Sequence, residues 1–148
     1  MLTETLIKLF KRDLEKLKQE IEAYKEEENL WIVANEISNS AGNLCLHIIG
    51  NLNHFIGAVL GDTGYIRQRD LEFSLKDIPV IEMIRQIDDT ISVVEIALSK
   101  LAEEDLQTEY SQNPFEDYMS TEFFLVHLLT HLTYHLGQIN YHRRLLPI

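Results

Sequence analysis

Apolar residues at Leu6, Leu9, Phe10, Leu14, Leu17, Ile21 and Tyr24 advance by steps of three and four, the spacing that puts side chains on one face of an α-helix. The same spacing returns three more times, and this repetition limits the fold more than any single residue does. Ser40 is placed to cap a second helix over about 41 to 60, which Gly61 to Gly64 end. Pro79 suits a first helical turn, and Val80, Ile84, Ile87, Ile91, Val94, Leu98 and Leu101 carry a third. Ser120 or Thr121 can cap a last helix to about Leu145, closed by Pro147. No sustained alternating pattern of a strand occurs. The expectation is an all-α bundle forming one domain over 1–148, its topology left open by two long connections and a short one. A chain of 148 residues removes about 70% of its unfolded surface from water, enough for one ordinary core.

Thirteen basic residues stand against twenty-four acidic ones, a formal net charge of -11, with no run of lysine or arginine. Binding nucleic acid relies on neutralising phosphates, so a backbone-binding role is disfavoured, as is an anionic membrane surface. One cysteine, Cys45, excludes an internal disulfide framework. The first twenty residues interleave charge with their apolar positions, unlike a signal peptide, and nowhere do about 18 apolar residues run together. A soluble, cytoplasmic protein is expected. The segment from Gly61 to Pro79 has no sustained period and is expected to be an ordered loop, of a length that is often functional.

Four of the six histidines fall in HLLTHLTYHLGQINYH, residues 127 to 142. At about 100° per residue, His131, His135, His142 and Gln138 lie roughly 40°, 80°, 60° and 20° round from His127. They share a stripe bordered by Leu128 and Leu145, which is expected to look inward. On the second helix His47, Asn51 and His54 share another face, with Cys45 pointing away. Two histidines four apart bring their imidazoles within reach of one ion, and a third from a facing helix completes a site with coordination positions left open. The competing reading is a buried imidazole network with protein partners alone.

Other templates are absent. Leu132 follows His131, so the HExxH helix of zinc proteases is missing, as are a Glu-x-x-His pair and the glycine-rich nucleotide loops. Cys45 is read as a small buried apolar residue.

At THLTYHLGQI the sequence resembles the DinB/YfiT-like superfamily, whose last helix carries a His-x-x-x-His pair followed by Gly-Gln. NSAGNLCLHIIGNLNHFIGAVLGDTGYIRQRDLEF is similar to an uncharacterised branch of it, and the resemblance runs from Trp31 onward. It implies a four-helix bundle with up-down-down-up topology, commonly a homodimer, holding a divalent metal on three histidines. Those positions fall on His47, His131 and His135. His54, His127 and His142 lie outside the triad and are assigned roles beside the ligands or facing substrate, with His127 the alternative ligand. Active members are thiol S-transferases using low-molecular-weight thiols such as bacillithiol; the superfamily's DNA-damage-inducible name does not itself imply contact with DNA.

Zinc or nickel suits imidazole ligands, and a thiol beside the ion would be held as the nucleophilic thiolate. Arg67 and Arg69 are candidates to hold an anionic group of that thiol, against a reading as a solvated charged loop. Glu72 is a candidate to orient a ligand imidazole, and Asn51 and Gln138 to do similar work, against a reading of local hydrogen bonding for each of the three. The alternatives are a metal- or small-molecule-binding module without catalysis, and a dimeric scaffold with a buried histidine network.

Overall fold

The computed structural model describes residues 1–146; Pro147, expected to close the last helix, lies outside them. Among the described residues every regular element is helical. The order is α1 (Leu2–Glu22), a 3-10 turn (Glu27–Trp31), α2 (Ala41–Leu52), a π-helical turn (Asn53–Ala58), α3 (Arg69–Ser74), α4 (Val80–Ser99), α5 (Glu103–Leu106) and α6 (Thr121–Leu145).

The first helix buries the stripe its spacing announces, with Leu6, Phe10, Leu14, Leu17 and Ile21 in the core. It ends at Glu22, two residues before Tyr24, the last apolar position of that spacing, and just ahead of the acids Glu26 to Glu28, which would lie against the negative end of the helix dipole. Ser40 caps α2, its hydroxyl accepting from the Asn43 amide, and Ser120 caps α6 by accepting from that of Phe123. Pro79 precedes α4 rather than standing in its first turn. The second helix continues past Leu52 as the π-helical turn; the Asn53 amide donates to the Ile49 carbonyl and to Thr90 Oγ1 of α4.

Every residue of α2 is buried. It packs against α4, α6, α3 and the 3-10 turn, while α1 packs against α4 and α6. Side chains from all four long helices join one apolar cluster, running from Leu6 on α1 to Ile139 on α6. Two polar ties fix α1 to α6: Thr133 Oγ1 donates to the buried Asp13 carboxylate at 2.5 Å, and Arg143 and Asn140 donate to Glu20.

The expected loop from Gly61 to Pro79 instead contains α3. The Asn43 amide donates to the carbonyls of Glu72 and Leu75, both at 2.9 Å, and holds this short helix against α2. Its stability comes from that tertiary pairing, because a six-residue helix is too short to persist by propensity; the sequence therefore gave no period to read.

Candidate metal centre

His47 projects from the middle of α2, and His131 and His135 from consecutive turns of α6. One ligand nitrogen from each lies within 4.8 Å of the other two. The Nε2 atoms of His47 and His131 are 3.2 Å apart, and those of His131 and His135 are 3.1 Å apart.

The far side of each ring fixes its protons. His47 Nδ1 stands 3.0 Å from Glu72 Oε1, which can only accept, so Nδ1 carries the hydrogen. His135 Nδ1 faces the Gln138 side-chain oxygen at 2.7 Å and donates in the same way. Both rings, when neutral, turn an Nε2 lone pair toward His131 Nε2, which has at most one hydrogen to share between them. Three converging nitrogens thus hold a single hydrogen or none, a deficit that a cation removes. Four-coordinate zinc, with bonds of about 2.0–2.1 Å, sets its nitrogen ligands roughly 3.3 Å apart, close to the observed spacing. The donor set fits a divalent ion.

Burial and the neighbouring imidazoles, His135 and His47 foremost, push the His131 pKa down from 6.5 to about 3. Burial lowers that of His135 as well. Neutral imidazole is the ligand form, so ligation needs little proton release from these two.

Glu72 is buried beneath the site. Burial alone would raise its carboxyl pKa, but bonds from His47 and Arg67 hold it below the usual range. Arg67 donates to both carboxylate oxygens, at 2.8 and 2.9 Å. Carboxylate backing of this kind fixes the orientation of metal-binding imidazoles. Gly50 makes room for it, since a Cβ there would come within 1.9 Å of Glu72 Oε2.

The remaining expected residues are placed differently. His54 lies seven residues beyond His47 and His142 seven beyond His135, each about 10 Å along its helix; a shared angular stripe is not a shared site. His54 packs against the Phe55 ring, and burial followed by the nearby Arg67 charge lowers its pKa. The His142 ring donates from Nε2 to the Ile32 carbonyl at 2.9 Å and contacts the Tyr24 hydroxyl through Nδ1 at 2.6 Å, which pins the chain after the 3-10 turn to α6 and to Tyr24, just past the end of α1. His127 is exposed, against the rings of Phe124 and Phe115. The stripe on α6 therefore does not look squarely inward. Leu125, Leu128, Leu132, Leu136 and Ile139 are the buried face, centred about 140° from His127, and the histidines form its flank.

Arg67 is engaged by Glu72 rather than free for a ligand's anion, and Arg69 is exposed with its guanidinium 5.2 Å over the Phe73 ring. Asn51 is buried with its side-chain oxygen unpaired among the described residues. Cys45 is fully buried, and burial pushes its thiol far up, consistent with an unreactive apolar role.

Gly50 and Asn43 were not singled out as site residues in the sequence. An isolated glycine in an apolar helix was the available signal for the first; nothing local marked Asn43 as the anchor of α3.

A family model described as a protein of unknown function, DUF1572, matches residues 2–147. The chain belongs to the DUF1572 family. The match covers His47, Glu72, His131 and His135 together, so the whole centre of this DUF1572 chain lies inside the family region. None of the curated proteins compared with this DUF1572 chain matches it.

Proposed function

We propose that this DUF1572 chain is a divalent-metal protein of the DinB/YfiT-like type, a four-helix bundle of up-down-down-up topology whose ion is held by His47, His131 and His135. The observation that carries this reading is the convergence of three Nε2 atoms, with the His47 and His135 rings held from their far sides by Glu72 and Gln138. Zinc and nickel are the ions best suited to three imidazoles.

The activity that fits best is thiol S-transfer. The bound ion would supply a Lewis acid that keeps a thiol deprotonated near neutral pH. Around it, His47 is kept in one tautomer by Glu72, and Gln138 holds the His135 ring. Three protein ligands leave space for a small molecule, as in catalytic rather than structural sites.

Metal analysis tests the reading directly. Purified protein should carry close to one ion per chain, and His131→Ala with His135→Ala should abolish it; stoichiometric metal in that double variant would overturn the assignment. Metal-loaded protein should then transfer a low-molecular-weight thiol to an electrophile. Metal binding without turnover for any of several thiols would favour a binding module.

Pairing of two copies belongs to the same proposal. It is supported by an outward stripe on α6, where Phe123, Val126, Tyr134 and Tyr141 are exposed. Light scattering should give twice the 17.3 kDa chain mass; a monomer at high concentration would remove this part.

A further inference from the structure

A cavity of about 590 Å³ opens beside the histidine centre, within the range of roughly 300–1,000 Å³ typical of small-molecule sites. His135 and Gln138 are among its lining residues and His47 and His131 are not, so the cavity meets the centre at the His135 ring, beside the Gln138 side chain bonded to its Nδ1. From there it runs between the 34–39 segment, with Leu44 behind it, and the last turns of α6. The 34–39 wall follows directly on Ile32, whose carbonyl is bonded to His142. That wall is therefore tied to the helix facing it.

The lining carries a definite charge character. Ile37, Leu44, Tyr141 and Leu145 supply apolar surface, and Asn35 and Asn39 supply neutral polar groups. Glu36 is the one acidic side chain among the lining residues, and no lysine or arginine is among them. The nearby cations are Arg143, which pairs with Glu20, and Arg144, which lies over the Tyr141 ring and donates to the neutral Asn140. The C-terminal turn of α6 places the negative end of a helix dipole here, and Arg143 and Arg144 in that turn offset it, leaving Glu36 as the local charge. A protein of net charge -11 gives no wider field to offset this.

We propose that this cavity binds a largely apolar organic molecule without negative charge, and that it delivers such a molecule to the His135 and Gln138 edge of the centre. Within the thiol-transfer reading, on which the catalytic part of this inference rests, the occupant is the electrophile rather than an anionic thiol.

Two fluorescent probes that differ by one sulfonate test the charge rule: N-phenyl-1-naphthylamine, which is neutral, and its 8-sulfonate, which is anionic. In the full metal-loaded chain the neutral probe should bind at least tenfold more tightly than the sulfonate. Glu36→Lys should narrow that gap by about tenfold, because reversing one charge within several ångströms changes the interaction by at least that factor. Ser38→Trp, at an exposed position on the cavity wall, should weaken the neutral probe at least tenfold with metal content unchanged.

Equal or tighter binding of the sulfonate, or neutral-probe binding indifferent to Ser38→Trp, would overturn the proposal. Nickel at the centre should also quench the bound neutral probe, and His131→Ala, at a residue outside the cavity lining, should remove the quenching while leaving probe affinity within about twofold. Selective probe binding in a protein that takes up no ion sustains the cavity and defeats the metal reading. Normal ion uptake without probe selectivity does the reverse.

Discussion

Gly50 is a residue whose absent side chain has a specific use. The Glu72 carboxylate occupies the space a Cβ would need, and from there it accepts from His47 and Arg67. Glu72→Gln should lower metal affinity about 10- to 100-fold, the usual cost of losing the group that orients a ligand imidazole. Gly50→Ala should have an effect of the same order, because the carboxylate must move; zinc titration against a competing chelator measures both. The pH response follows from His131. Its pKa is near 3 in the folded chain and about 6.5 when unfolded, so the unfolded state binds the extra proton between those values. The associated stability is present above pH 6.5 and is lost as pH falls toward 3. Urea unfolding of metal-free protein at pH 7.5 and pH 5 should show that loss, and His131→Gln should reduce the difference.

Among the elements, α3 depends most on others for its existence. Six residues cannot sustain a helix alone, and Asn43 holds this one by two carbonyl bonds. Asn43→Ala should release α3, displace Glu72 and weaken metal binding while the four long helices persist. Amide exchange rising within 69–75 but not within 83–98 would display the local release. The first helix contributes differently, through packing. Leu14 is fully buried, and Leu14→Ala should cost about 2–5 kcal/mol in denaturant unfolding, without changing the ligand set. Losing the α6 cap through Ser120→Ala should cost about 1 kcal/mol by the same measurement.

For the molecule as a whole, the centre joins α2 to α6 across their interface, so an ion bound only by the folded state adds to global stability. At one hundred times its Kd, zinc should add about 2.7 kcal/mol. In a domain near 150 residues that corresponds to a rise in Tm of roughly 5–10 °C. His131→Ala with His135→Ala should show no such rise; an equal rise there would place the ion elsewhere. No helix among the described residues is long and apolar enough to cross a membrane, and the apolar residues of α2 are buried inside the protein. All of its residues are covered by other elements.

Periodicity needs only local sequence, and it determined roughly where the long helices run and which leucines are buried, while Ser40 was legible as one cap and the cap of α6 stayed open between Ser120 and Thr121. Angular position likewise needs only sequence, and it placed His47 on one face and His131 with His135 on another. Axial distance and the packing of neighbouring elements were decided by the tertiary structure alone. His54, His127 and His142 share those angular stripes, yet the helical rise carries His54 and His142 away from the centre, and His127 sits exposed against Phe115 and Phe124. Glu72 reaches His47 because a short helix without a readable period folds back onto Gly50. Contacts between residues far apart in sequence leave no periodic trace, and the orientation of the three imidazoles rests on such contacts.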